Sequence, residues 1–227
     1  MHMQSPALLF GWFVVFIFSV TAHEAAHAWV AKMGGDRTAY VGGQVSLNPI
    51  PHMRREPIGM LLFPILSLIA MGWPIGYASA PFDPNWADRY PKRAAYMALA
   101  GPFSNLVIAL LCLLGMWIGL QTGDFGLAMQ PMVQIVSGQQ GTLAYGLSYL
   151  LSMLLVMNFL LFIFNIMPVP PLDGSGVLPL FMNAKQTQRF RQIAYTPAFM
   201  LIGFVIVWKL IGVIFWPSLL FLLQFLE

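Results

Sequence analysis

Residues His23-Glu24-Ala25-Ala26-His27 lie inside the apolar stretch Ala7 to Met33, whose only ionisable side chains are His23, Glu24, His27 and Lys32. About 20 apolar residues suffice to cross a bilayer, so this stretch predicts a membrane helix. On a helix, positions i and i+4 share a face, so His23 and His27 can grip one metal ion. Glu24 stands next to that site, where a carboxylate can serve as base for a metal-held water. In hydrocarbon an acidic or basic side chain costs roughly 2.5–3.5 kcal/mol even on the lenient insertion scale. Groups that costly usually have a partner and a task.

The 227 residues are 59% hydrophobic and 8% charged, with a mean hydropathy of +0.74. Soluble domains average about 25% charged residues, so the chain reads as an integral membrane protein. The fold class is an all-α polytopic helix bundle. One domain is expected over residues 1–227, with a catalytic core over about 7–176 and a C-terminal helix region over about 187–227. The net charge of +3 is better read as membrane topology than as a nucleic-acid footprint. Cys112 is the single cysteine, which excludes a disulfide framework and a Cys-type zinc site; it is expected as a small buried hydrophobe. With no basic n-region and no small-residue cleavage pattern, the first span is expected to stay in the mature protein.

Five apolar segments stand out: about Ala7 to Met33, Pro57 to Gly76, Ala94 to Leu120, Thr142 to Phe164 and Pro197 to Trp216. The second is short and broken by Gly59, Pro64, Gly72 and Pro74. Between the first two, Tyr40 to Leu47 joins Gly42-Gly43 to the β-prone Val41, Val45 and Ser46, which predicts a short hairpin or extended loop. If segment two dips into the bilayer and returns, every Lys and Arg except Lys209 falls on one side, which the positive-inside rule makes cytoplasmic. If it crosses, Arg89, Lys92 and Arg93 go outside and the pattern fails. Four crossings plus one re-entrant segment is therefore the working topology, with an ordinary crossing by segment two as the alternative. Trp12, Trp86, Trp117 and Trp216 read as interface markers, Lys209 as a snorkelling anchor and His52 as a loop residue.

Zinc in a hydrolase usually has three protein ligands and one open position, so two histidines need a third partner. Most of the acids lie in polar loops or at an end. Asp173 instead follows segment four in Asn165-Ile166-Met167-Pro168-Val169-Pro170-Pro171-Leu172-Asp173-Gly174. The prolines hold the chain extended and Gly174 permits a tight turn, which can push one carboxylate sideways into a bundle. Asp173 is the expected third ligand. His23 lies about ten residues from its helix end, about 15 Å deep at 1.5 Å per residue. A re-entrant segment two brings the end of segment four to that same side; a crossing would send Asp173 to the opposite face.

With these landmarks in place the chain resembles the site-2 protease family of intramembrane zinc metalloproteases, peptidase family M50, in its short prokaryotic form. The resemblance is carried by His23-Glu24-Ala25-Ala26-His27, by Gly101-Pro102-Phe103-Ser104-Asn105 opening segment three, and by Asn165 to Gly174, which matches an N-x-x-P-x-x-P-L-D-G pattern. It implies one zinc held by His23, His27 and Asp173, Glu24 as catalytic acid/base, and Asn165 near the active site, bonding the substrate backbone. Asn165 and Asn105 are the substrate-binding or oxyanion candidates; for Asn105 a bond between helices or a cap on segment three stays open. The PDZ and CBS modules of many members have no room here. After Gly72-Trp73, a Lys-Pro-Val-like run of the short bacterial subgroup is replaced by Pro74-Ile75-Gly76-Tyr77.

The expected activity is hydrolysis of peptide bonds in or near transmembrane segments. A substrate helix would be unwound and added as an edge strand to Tyr40 to Leu47. Expected partners are a transmembrane protein or peptide substrate and the lipid bilayer, with no nucleic acid. The resemblance places the chain in a prokaryotic inner membrane with the active site towards the cytoplasm. The competing readings are a membrane metal-binding or transport protein and a non-proteolytic scaffold. Segments three and five are nearly free of ionisable groups, which leaves a transport route hard to draw, and an intact Glu24 weighs against a scaffold.

Overall fold

A computed structural model describes residues 5–130 and 134–226. The first helix, α1 (Pro6–Met33), starts where the Ser5 hydroxyl accepts from the Leu8 N–H and Pro6 takes the first turn, whose N–H groups have no helical partner. Short helices α2 (Thr38–Val41) and α3 (Pro49–Arg55) follow. A π-helical turn over Ile58–Leu62 runs into α4 (Phe63–Met71). An extended stretch leads to α5 (Pro84–Arg89) and the long α6 (Pro91–Thr122). Strands β1 (Phe125–Gln130) and β2 (Gln134–Gly138) pair antiparallel, Phe125 opposite Gly138. Then come α7 (Leu143–Ile166), α8 (Asp173–Val177), α9 (Ala184–Ala194) and α10 (Pro197–Leu223).

Four helices, α1, α6, α7 and α10, are long and apolar enough to cross a membrane. The 5 and 9 residues of the π turn and α4 rise about 21 Å, short of the roughly 30 Å hydrocarbon core. This fits the expected re-entrant element and not a crossing. The all-α bundle with one small hairpin is thus borne out.

The hairpin, however, is not after the first helix. Tyr40 and Val41 end helix α2, and residues 42–48 turn without pairing. A local turn outweighs β-propensity here: Asp36 Oδ1 accepts from both the Thr38 N–H at 2.9 Å and its hydroxyl at 2.6 Å, an Asx turn that leads into the helix. The hairpin sits between α6 and α7, at the end of the bundle away from the Lys- and Arg-rich loops. The last apolar segment also runs on through Pro217 to Leu223 rather than stopping at Trp216. Membrane helices tolerate proline because neighbouring groups re-satisfy the freed carbonyl.

Helix α6 lies between α1 and α7. It runs antiparallel to α1, since His23 meets Asn105 and His27 meets Met97. Helix α7 runs parallel to α1, with Gly11 beside Met153 and Ser19 bonded to Asn158. The buried α6 residues include Ala94, Ala95, Ala98, Gly101 and Ala109, small side chains that let helices approach without the hydrophobic drive that water supplies. Trp12, Phe16, Met60, Met116, Leu155 and Met157 fill the core, with Cys112 buried among them. Helix α10 exposes most of its apolar surface and touches the bundle at Phe215, whose ring is tilted against Phe159, and at Gly203, which lies against the Pro170 carbonyl.

Two of the tryptophans are core residues rather than interface markers. Trp12 packs against Trp73 with centroids 4.4 Å apart. Trp86 is buried and its indole N–H donates to the Gly34 carbonyl at 2.9 Å, a group shared with Arg93. That carbonyl ties the end of α1 to the start of α6. His52 is likewise buried, inside α3, with Nε2 3.0 Å from the Ser46 carbonyl.

The stretch after α4 is pinned from several sides. The Tyr77 N–H donates to the Gly59 carbonyl, the Ser79 carbonyl accepts from Gln44, the Ser79 hydroxyl donates to Glu56, and the Asp83 N–H donates to Asp36 Oδ2. Burial pushes the Asp36 carboxyl up, but the Thr38 hydroxyl and the Thr38 and Asp83 amides outweigh it and hold the group below its ordinary value. The backbones at Gly59 and at Gly76-Tyr77 approach so closely that a methyl on Gly59 would strike the Tyr77 carbonyl and ring. Gly59→Ala is expected to lower stability by about 1–3 kcal/mol, as overpacking does. A thermal melt in detergent checks this, with Gly115→Ala as a control, since a methyl there meets only ordinary contacts.

Candidate metal centre

Helix α1 places His23 and Glu24 on one turn and His27 on the next, all three about 6% exposed. The prolines after α7 bring the chain back under the bundle, and Asp173 opens α8 with Leu172 still extended before it. Gly174 is required less by a turn than by contact: a methyl there would strike the Ile166 and Met167 carbonyls at the end of α7. The result joins positions 150 residues apart. Asp173 Oδ2 lies 2.9 Å from His23 Nε2 and 3.3 Å from His27 Nε2, and the two Nε2 atoms are 3.0 Å apart. These three form a cluster with one donor atom each within 4.8 Å of one another.

The other imidazole nitrogens face away. His23 Nδ1 meets Asn105 Oδ1 at 2.6 Å, and His27 Nδ1 meets the Met97 carbonyl at 2.7 Å. A carbonyl only accepts, so His27 Nδ1 carries its hydrogen and leaves Nε2 free as a ligand atom. Two imidazole nitrogens and one carboxylate oxygen are the donor set of a hydrolytic zinc site with an open fourth position. Tetrahedral bonds of zinc length set donor atoms about 3.3 Å apart, so the cluster needs only a slight opening to take the ion. The residues fit zinc.

Glu24, His27 and Asp173 line a cavity of about 530 Å³. Its opposite wall is the extended stretch with Ala78, Ser79, Ala80 and Phe82, and towards α9 it is lined by Phe190, Arg191 and Tyr195. Arg191 donates to Asp88 at 2.5 Å, linking α9 to α5 beside that cavity. Among the described residues no hydrogen-bond partner is found for the Glu24 carboxylate, which is therefore free to meet what enters.

Asn105, read from sequence as a substrate-binding or oxyanion candidate, is instead fully buried and committed: it holds His23 and donates to the Ser19 carbonyl and to Asn158. Of the alternatives, the bond between helices is what the geometry shows. Asn165 is half-buried, donates to the Leu161 carbonyl of its own helix at 3.0 Å and is not among the residues lining the cavity. The sequence reading missed the Met97 carbonyl, which no side-chain pattern marks, and Asn158, the lone Asn inside segment four. It named Gly101 without a task. A methyl there would strike the Nε2 atoms of both histidines, so only glycine lets α6 pass this close.

Comparison with known proteins agrees with this geometry. The sequence model of Peptidase family M50 matches residues 11–210. The chain is 30% identical over 212 residues to "Putative zinc metalloprotease YwhC" of Bacillus subtilis (strain 168), covering 91% of this chain and 84% of that protein. It is 28% identical over 186 residues to "Putative zinc metalloprotease Rip2" of Mycolicibacterium smegmatis, covering 79% of this chain and 58% of that protein. No solved structure matches it. Four membrane-length helices, a zinc-type donor set and a family match across most of its length make this chain a member of peptidase family M50, a multi-pass membrane zinc metalloprotease.

Proposed function

We propose that the protein is an intramembrane endopeptidase that hydrolyses peptide bonds in or near transmembrane segments of membrane proteins. One observation carries the reading: His23, His27 and Asp173 bring their donor atoms together inside a bundle of membrane-length helices, with the unpartnered Glu24 beside them in an open cavity. His23, His27 and Asp173 hold the ion and Glu24 is the acid/base. Zinc supplies Lewis acidity, bringing a water's pKa towards about 7 and polarising the scissile carbonyl. Glu24 takes the proton released as water attacks and returns it to the leaving nitrogen, so the peptide C–N bond breaks without a free amide anion. Asn165 stays a candidate for the substrate backbone only through a change of side-chain position, since its amide is turned to Leu161.

The substrate must arrive unwound, because a helix locks its carbonyls in hydrogen bonds. The extended wall from Ala78 to Phe82, rather than Tyr40 to Leu47, is suited to receive it as an added strand. Among the described residues no partner is found for the backbone N–H of Ala80 or of Phe82. The basic loops at the cavity end make that end cytoplasmic by the positive-inside rule, in a prokaryotic inner membrane. Residues 1–227 act as one catalytic unit. A metal transporter is less well supported, since the cluster opens into one cavity and the nearby helices offer no chain of ionisable groups.

Two outcomes test the reading. Glu24→Gln is expected to bind zinc as the parent does and to cut a model transmembrane peptide about 10²–10⁴-fold more slowly; cleavage at the parent rate would refute the role of Glu24. Gly101→Ala is expected to weaken zinc binding about tenfold or more by displacing both imidazoles. Metal analysis after dialysis against a chelator reads this, and full zinc retention would contradict the packing argument.

A further inference from the structure

We infer that Asn158, with Ser19, is a positioning residue for this site: through Asn105 it sets which nitrogen of His23 carries the hydrogen. The inference rests on the proposed reading of His23 as a metal ligand and extends the site to a third helix.

The argument follows from what each atom can do. A backbone carbonyl can only accept a hydrogen bond. One terminal atom of the Asn158 side chain lies 2.9 Å from the Leu154 carbonyl, so that atom is the amide nitrogen. Its second hydrogen goes to the Ser19 hydroxyl, also at 2.9 Å. The Asn158 oxygen then faces Asn105 and accepts at 2.8 Å. The Asn105 atom on that bond lies 3.2 Å from the Ser19 carbonyl as well, so it too must be nitrogen, with both hydrogens used. What remains of Asn105 is its oxygen, 2.6 Å from His23 Nδ1. An amide oxygen has no hydrogen to give. His23 Nδ1 therefore donates, and the lone pair is left on Nε2, the atom that faces His27 and Asp173.

The reversed arrangement fails. Turning Asn105 over would point its oxygen at two other acceptors, the Ser19 carbonyl and Asn158 Oδ1. Ser19, Asn105 and Asn158 are all 0% exposed, so no solvent can repair such contacts. Two backbone carbonyls, one on α7 and one on α1, thus give the chain of amides a single polarity. His27 reaches the same state in one step at the Met97 carbonyl. Helix α7 consequently serves the site twice, through Asn158 at its middle and through Asp173 beyond its end.

The test compares Asn158→Leu with Ser152→Ala. Ser152 is another fully buried polar residue of α7; it bonds Ile135 and Ser148 and has no link to His23. Interhelical hydrogen bonds of membrane proteins are individually weak, so both variants are expected to fold. Zinc affinity is measured on detergent-purified protein by competition with a chelator, and the visible absorption of the cobalt-substituted protein reports the ligand geometry. The expected result is that Asn158→Leu weakens zinc at least fivefold more than Ser152→Ala does and shifts the cobalt bands, which a loss of general packing would not move. A smaller difference, or cobalt bands like those of the parent, overturns the inference. If Asn158→Leu cannot be recovered folded, Asn158→Ala, which removes the same amide without added bulk, decides against Ser152→Ala by the same two readouts and the same fivefold margin. A parent protein that takes up no zinc would sink the site itself, whereas a zinc-binding parent with an indifferent Asn158→Leu sinks only the relay.

Discussion

A polar group inside a lipid-facing bundle must find its partner within the protein, because the surroundings offer none. His23 and His27 meet that constraint from every side. Their outer nitrogens donate to Asn105 and the Met97 carbonyl, and their inner nitrogens converge with Asp173 as three acceptors that a cation would satisfy. Satisfying them requires α1, α6 and the chain beyond α7 to lie in one arrangement. Gly101 is the point where α6 must pass the imidazoles with no side chain at all. The helix packing and the metal centre are therefore one problem with one solution, and a shift of any of the three helices would strand a buried polar atom.

The two sides of the centre differ in character. Behind it, Asn105, Ser19 and Asn158 use their polar atoms on one another in a dry interior. In front, Glu24 lies free in a cavity whose far wall is extended backbone rather than helix. That wall is held by groups from the loop region after α1, Asp36, Gln44 and Glu56, which secure residues 79 and 83. Fixed groups behind the three donor atoms and backbone in front of them are what the proposed peptide hydrolysis would require: donors that need not rearrange, and a place to hold an unwound chain.

The expectations that came from strong local periodicity and from the length of apolar segments have counterparts in the structure. The i, i+4 pair, the membrane-length segments and the short broken segment two are each readable in a window of residues, and each has a counterpart in the structure. The failures share a cause as well. Tyr40 to Leu47 has β-prone residues, yet an Asx turn at Asp36 and Thr38 leads the chain into a helix instead. The hairpin formed by Phe125–Gln130 and Gln134–Gly138 lies where no local pattern marks a strand, because its strands depend on packing against α6 and α7 more than on their own sequence. Trp12 and Trp86 looked like interface residues because tryptophan often is one; their burial was decided by Trp73 and by the end of α1.

By itself the sequence determined that this is a polytopic helical membrane protein with an H-E-x-x-H pair on one helix and one carboxylate placed to join it, because hydropathy, helical spacing and charge bias act over short or additive ranges. Only the tertiary structure decided that Asn105 holds a histidine instead of facing substrate, that Met97 supplies a carbonyl, that Gly101 must be bare and that Asn158 stands behind them. Those assignments join residues 53 to 139 positions apart. A hydrogen bond across such a separation depends on how helices cross, and no local pattern encodes that.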